Sequence, residues 1–241
     1  MDLHSSVAAV TGASRGIGRS VSAQLVAAGA RVFGLARSED DLDAVRTGLG
    51  DTFVPVVCDV TDADSVQDAI DRVAQEGGQL DLLVNNAGLG RFGEVDALDP
   101  DDWDLQIATN LTGLYRCTAA AVPHMKRLHE DTGRTAHIVN VASIAGLIGN
   151  PQLSAYNATK FGVRGFSEAT MKELRPHGIK VSCVYPGSVD THFADGAGMD
   201  PNPNAMSPED IAATILHLVQ TPPGYLISEV VMRPMKTRGQ S

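Results

Sequence analysis

Along this chain, short runs of apolar and β-branched residues alternate with longer stretches in which apolar residues recur every three or four positions. The first pattern fits strands buried on both faces, and the second fits helices that turn one face to a core. Strands are expected near Val7–Thr11, Arg31–Leu35, Phe53–Val57, Leu82–Asn85, His137–Val141, Lys180–Tyr185 and Leu226–Val231. Helices should fill most of the gaps. In the first of them Ile17, Val21 and Leu25 stand four apart, so they share a face that would pack on the sheet. The alternation is that of βαβ units, which predicts an α/β fold around a parallel sheet with helices on both faces.

Polar punctuation marks several helix starts, because a short oxygen-bearing side chain can accept from the free N–H groups of a first turn. Ser38 precedes Asp41 and Thr61 precedes Asp64, while Asp99-Pro100 and Ser207-Pro208 each set a cap before a proline. The acidic run Asp99 to Asp104 reads as one such capped, solvated start, with Trp103 as its packing residue. One irregular stretch, His192 to Met206, is rich in Gly, Pro, Asn and Asp and reads as the core of a substrate loop at about residues 189–207.

Length and composition narrow the class. A chain of 241 residues with 43 % hydrophobic content can bury one substantial core, and residues 1–241 are expected to form a single domain. The start of the chain carries neither a basic leader nor a long apolar run, and no stretch approaches the roughly 20 apolar residues of a membrane-spanning helix. A cytoplasmic protein without membrane partners is expected. Cys58, Cys117 and Cys183 are odd in number and far apart, which fits small core residues better than a disulfide framework. The histidines show no metal-ligand spacing, so no metal site is expected. A net charge of −10 argues against nucleic acid as a partner. It also means that an anionic cofactor would need locally placed cations.

The first strand runs into Thr11-Gly12-Ala13-Ser14-Arg15-Gly16-Ile17-Gly18 and then directly into a helix. Glycines at such a turn let a pyrophosphate approach the helix N-terminus, where free N–H groups and the dipole favour negative charge. Gly12, Ser14, Arg15, Gly16, Ile17 and Gly18 are therefore candidate cofactor contacts; a turn that serves only helix–sheet packing is the other reading. Cofactor choice is written at the end of the second strand, where a carboxylate selects NAD and a cation accommodates the extra phosphate of NADP. Here stand Ala36 and Arg37, with no carboxylate, and Arg15 lies after the neighbouring strand. NADP(H) is expected over NAD(H), unless both arginines are ordinary surface cations.

Tyr156 and Lys160 are four apart at the start of a helical segment reaching about Leu174, which places phenol and ammonium on one face. A nearby cation favours a phenolate, so Tyr156 can give a proton to a carbonyl and take one from an alcohol. Ser143 ends the fifth strand at the carboxyl edge of the sheet, where ligands bind in open α/β folds, and its hydroxyl can bond the substrate oxygen.

Taken together, the glycine turn, Ser143 and the Tyr156/Lys160 pair resemble the short-chain dehydrogenase/reductase family in its compact, single-domain, NADP(H)-preferring branch. Asn85-Asn86-Ala87-Gly88, Asn110 and Pro186-Gly187 extend the likeness in order and spacing from Thr11 to about Thr191. The resemblance implies a Rossmann fold with a doubly wound, seven-stranded parallel sheet. It implies that Asp59 and Val60 contact adenine and that Asn86, Ala87 and Gly88 line the adenosine side. Pro186, Gly187, Val189 and Thr191 would border the nicotinamide, and Lys160 would bind its ribose. Asn110 would complete the catalytic set by holding a water that links Lys160 to solvent. A homodimer or homotetramer is implied as well, with the Tyr156 helix as a contact element.

The leading function is thus an NADPH-dependent oxidoreductase acting on a carbonyl or secondary alcohol. A non-catalytic NADPH-binding redox sensor is the alternative from another class, although it would have no use for Ser143 and Tyr156. A nucleotide-sugar epimerase fits poorly, since that branch carries a longer C-terminal region. Leu89, Phe92, Ile144, Leu147, Leu153, Phe193 and Met199 are candidates for an apolar substrate pocket, several of which fit a core equally well. The ending Ile227 to Pro234 lacks the glycine-rich pattern of 3-oxoacyl carrier-protein reductases and is more similar to members acting on 3-hydroxy acids or small alcohols. The tail from Arg233 reads as surface.

Overall fold

The computed structural model describes residues 2–191 and 202–236. Its strands are β1 (Val7–Thr11), β2 (Arg31–Ala36), β3 (Phe53–Val57), β4 (Leu82–Asn85), β5 (Ala136–Val141), β6 (Ile179–Pro186) and β7 (Glu229–Met232). They form one seven-stranded sheet in the order β3-β2-β1-β4-β5-β6-β7, with every pairing parallel. The order reverses between β1 and β4, which opens a crevice beyond their carboxyl ends. The helices are α1 (Gly16–Ala27), α2 (Glu39–Leu49), α3 (Ala63–Gly77), α4 (Pro100–Ile107), α5 (Leu114–Thr132), α6 (Ser154–Leu174) and α7 (Pro208–Gln220). A π-helical turn, Ala108–Gly113, joins α4 to α5.

Two apolar layers sandwich the sheet because successive strand side chains point to opposite faces. In β1, Val7 and Ala9 pack with Ile70 of α3 and Met125 of α5. Ala8 and Val10 face the other way, toward Leu25 of α1, Val45 of α2 and Ile215 of α7. The expected doubly wound parallel sheet is thus the observed one. All three cysteines are buried and unbridged. No helix among the described residues is long and apolar enough to cross a membrane.

Some expectations are corrected. The last strand lies at Glu229–Met232 rather than Leu226–Val231. The Lys180 ammonium collects the carbonyls of Thr221, Pro222 and Tyr225, which holds the preceding segment in a turn. The α3 cap is Asp62, whose carboxylate accepts from Asp64 N and Ser65 N; Thr61 instead turns to Asp59, donating to Oδ1 at 2.8 Å. Trp103 is 41 % exposed, and the residue that α4 buries is the polar Gln106. Ser38, Asp99 and Ser207 do cap α2, α4 and α7.

Candidate active site

Capped, acid-rich starts at α2, α3, α4 and α7 contrast with α1. Its N-cap is Arg15, which makes no side-chain cap, and its first turn carries no acidic residue. Free N–H groups and the positive end of the helix dipole are thereby left for an anion. Gly12 and Gly16 take φ of 65° and 51°, a conformation that L side chains rarely adopt. A Cβ at Gly18 would come within 2.2 Å of the Gly12 carbonyl, so this glycine lets the turn fold back on the helix. Arg15 and Arg37 stand exposed beside the turn, and neither makes a salt bridge among the described residues.

The crevice is a cleft of about 1570 Å³, larger than the roughly 300–1,000 Å³ of common small-ligand pockets, which leaves room for a dinucleotide and a substrate together. Gly12, Ser14, Arg15, Gly16 and Ile17 line one end with Arg37, Asp59 and Val60. Asn86, Ala87 and Gly88 line its middle, with Pro186, Gly187, Val189 and Thr191 opposite. Gly18 and Asn110 do not reach the cleft wall; they stand behind it.

Thr11 holds the middle wall: its hydroxyl accepts from Asn86 N at 2.9 Å and Ala87 N at 3.0 Å. The Asn86 side chain in turn donates to Thr11 O at 2.9 Å. Asp59 has its carboxyl held below the usual range. Its partial burial opposes ionisation, but hydrogen bonds from the Thr61 backbone and hydroxyl and the Arg37 charge outweigh it.

At the other end Ser143, Tyr156 and Lys160 converge. Ser143 leaves β5 in extended conformation, and its hydroxyl accepts from Ala145 N at 3.1 Å and bonds the Tyr156 phenol. Lys160 lies one turn along α6 from Tyr156; its Nζ donates to Val141 O at 3.0 Å and stands 5.6 Å from the centre of the Tyr156 ring. Burial pushes the phenol up to about 12, against the lowering by the Ser143 hydrogen bond. Burial also draws Lys160 down to about 8. The direction for Tyr156 is opposite to the sequence expectation. The Lys160 ammonium sits over the ring and is anchored to the β5 backbone, and loss of water sets the direction of the phenol. The phenol is therefore held protonated, ready to donate.

Asn110 lies in the π-helical turn. Its carboxamide accepts from Leu89 N at 2.8 Å and donates to Leu89 O at 2.8 Å and Thr159 Oγ1 at 3.3 Å. Its Oδ1 would lie 3.2 Å from a Cβ at Gly88, a tight contact, and Lys160 Nζ 3.7 Å from it, so Gly88 lets the chain pass closely between the two.

Leu89, Phe92, Ile144 and Leu153 line the cleft near Tyr156. Phe92 meets the Tyr156 ring edge-on, with centroids 5.6 Å apart. Leu147 instead packs into a small cluster with Tyr185 and Val163. Phe193 and Met199 lie outside the described residues, as does most of the substrate loop, whose ends are pinned together by Asp190 N to Met206 O at 2.8 Å. Sequence reasoning passed over Asn157, which donates to Ala145 O at 2.6 Å and Ile148 O at 2.8 Å and so fixes the loop bearing Ile144. It also set Arg233 and Lys236 on the surface tail, whereas both border the cleft. No motif marks either group; the contacts are made between distant parts of the chain.

Comparison with known proteins places these features in context. The short chain dehydrogenase family model matches residues 6–201. The chain is 33 % identical over 240 residues to the 3-oxoacyl-(acyl-carrier-protein) reductase FabG of Vibrio harveyi, covering 96 % of each. Among solved structures, a 3-ketoacyl-(acyl-carrier-protein) reductase from Brucella melitensis complexed with NADH superposes with a TM-score of 0.89. Identity is 28 %, over 95 % of this chain and 97 % of that one. A metagenomic short-chain oxidoreductase in complex with NADP gives 0.84 at 34 % identity, over 98 % and 100 %.

Proposed function

This chain belongs to the short chain dehydrogenase family, and from that premise we propose that it is an NADP(H)-dependent oxidoreductase interconverting a carbonyl and a secondary alcohol. The observation that carries the reading is the meeting of Ser143, Tyr156 and Lys160 at one end of a cleft whose other end is the uncapped α1. The residues present fit a dinucleotide: glycines with left-handed backbone at the turn, a free helix N-terminus, and two arginines that make no salt bridge among the described residues. When bound, the nicotinamide supplies the hydride donor or acceptor.

The chain's own residues do the rest. The Ser143 hydroxyl bonds the carbonyl oxygen, and the Tyr156 phenol gives its proton to that oxygen as the carbon is reduced. One hydride and one proton convert the carbonyl to the alcohol; Tyr156 is left as a phenolate, stabilised by the Lys160 ammonium. Lys160 would also bind the nicotinamide ribose, and a water held at Asn110 would return the proton from solvent. Oxidation runs the same steps backward. Asp59 and Val60, which line the cleft, would flank the adenine.

Arg15 and Arg37 support the NADP(H) preference, since each offers a guanidinium at the adenosine end with no salt bridge among the described residues, and neither Ala36 nor Arg37, the first two positions at the end of β2, is a carboxylate. Likeness to 3-oxoacyl reductases favours a 3-oxoacyl thioester substrate. Arg233 and Lys236 on the cleft rim favour a smaller acidic one, such as a 3-hydroxy acid. We also assign a homodimer or homotetramer, with exposed Phe161 of α6 and Tyr115 of α5 at the contact.

The test is to follow NADPH and NADH consumption with ketones, aldehydes and 3-oxo esters, and their formation from NADP+ and NAD+ with 3-hydroxy acids. Turnover that favours NADPH is expected. NADPH binding without turnover of any of them would mark a redox sensor instead.

A further inference from the structure

The chain between Gly88 and Gly93 has no strand or helix to hold it, yet it carries Leu89 and Phe92 into the cleft beside Tyr156. Its backbone is gripped by two side chains four apart on one helical stretch. Asn110 pairs with both the N–H and the carbonyl of Leu89. Gln106 does the same two residues on: Oε1 accepts from Arg91 N at 3.1 Å, and Nε2 donates to Arg91 O at 3.1 Å and to Asp102 O at 3.2 Å.

The spacing explains why this works. Gln106 and Asn110, four apart on one helical stretch, meet Arg91 and Leu89, alternate residues of the passing chain. Each carboxamide stands in for a peptide group of a neighbouring strand. Gln106 is wholly buried, the only residue of α4 that is. The helix thus turns a polar group inward and leaves Trp103 outside. Beyond the grip, Gly93 N donates to Gln152 O at 2.9 Å, which fastens the far end.

We propose that Gln106 is a positioning residue for substrate selection: by pairing with Arg91 it sets the 89–93 segment, and with it the Phe92 wall against which the substrate's side groups lie. The cofactor side is held separately, by Thr11 on Asn86 and Ala87. Gln106 should therefore act on substrate and not on cofactor. The catalytic part of this inference rests on the proposed carbonyl–alcohol chemistry; the structural part does not.

Two measurements on Gln106→Leu separate them. Amide hydrogen exchange should show the Arg91 N–H exchanging about tenfold faster or more, since an unpaired group replaces a paired one, with the Leu89 N–H much less affected. This readout needs no turnover, and an unchanged Arg91 N–H overturns the grip. In steady-state reduction of a small methyl ketone and a bulky aryl ketone, KM should rise about tenfold and the ratio of the two kcat/KM values should shift. NADPH Kd should stay within about twofold. Phe92→Ala should shift the same ratio, and adding Gln106→Leu to it should change the ratio little further, because both act through one wall. Should Gln106→Leu fail to fold, Gln106→Asn keeps the carboxamide but withdraws it from Arg91 by one methylene and should shift the same ratio in the direction of Phe92→Ala. An unchanged ratio with only kcat lowered, or full additivity with Phe92→Ala, overturns the positioning role. Absence of turnover in the wild-type protein would instead refute the proposed chemistry and leave the exchange result to decide the grip.

Discussion

The two ends of the cleft are built differently. At the cofactor end, each wall is the carboxyl end of a strand or the turn that follows it: β1 into the glycine turn, β2 into Arg37, β3 into Asp59, β4 into Asn86. At the substrate end, the wall is assembled from segments near residues 89–92, 144–153, 187–191, 202–205 and 233–236. Those segments are held by isolated backbone bonds between loops, such as Asp190 N to Met206 O, and by side chains from neighbouring helices, such as Asn157 to Ala145 O and Gln106 to Arg91. The sheet edge fixes the first end through the strand ladder and short-reach side-chain bonds such as Thr11 to Asn86 N and Ala87 N, so it can stay constant while the second is rebuilt by changing a few contacts.

If that division is right, substitutions should sort cleanly between cofactor and substrate parameters. The largest effect is expected where the ends meet. Tyr156→Phe should lower kcat about a thousandfold while leaving NADPH Kd nearly unchanged; near-normal turnover would remove Tyr156 as proton donor. Next, replacing Arg15 and Arg37 with Ala should weaken NADPH binding about a hundredfold and NADH binding little, as read by titration of nucleotide fluorescence. Equal losses for both would show that the arginines do not read the extra phosphate. Adding Ala36→Asp should then move the kcat/KM ratio toward NADH.

At the substrate end, Phe92→Ala should alter the preference between small and bulky ketones about tenfold with NADPH Kd unaltered. A parallel change in Kd would show the two ends to be coupled. The smallest effect is with pH. Lys160 is drawn from its ordinary 10.5 down to about 8, so its charge is complete well below that point and lost above it. kcat/KM for ketone reduction should accordingly fall as pH rises through about 8, by about fivefold between about pH 8 and about pH 9. A profile flat to about pH 10 would mean that the Lys160 charge does not support Tyr156.

Legibility in the sequence follows the same division. The Thr11 to Gly18 turn, Arg37 and the Tyr156/Lys160 spacing could be placed because strand ends and helix faces are local consequences of apolar pattern. The family followed from their order. β7 was misplaced because the signal for its start is Lys180, distant in sequence, gathering carbonyls of the 221–225 turn. Trp103 was assigned to packing because an aromatic on a helix ordinarily packs, whereas in this chain α4 turns Gln106 inward.

The sequence by itself determined the parallel sheet, the turn at α1 and the pairing of Tyr156 with Lys160, since each depends on periodicity and conformational preference within a few residues. Only the tertiary structure decided that burial raises the Tyr156 phenol instead of Lys160 lowering it, and that Gln106 shapes the wall beside it. It also brought Arg233 to the cleft. Desolvation and long-range hydrogen bonds depend on what surrounds a group in space, and residue spacing along the chain carries no record of that.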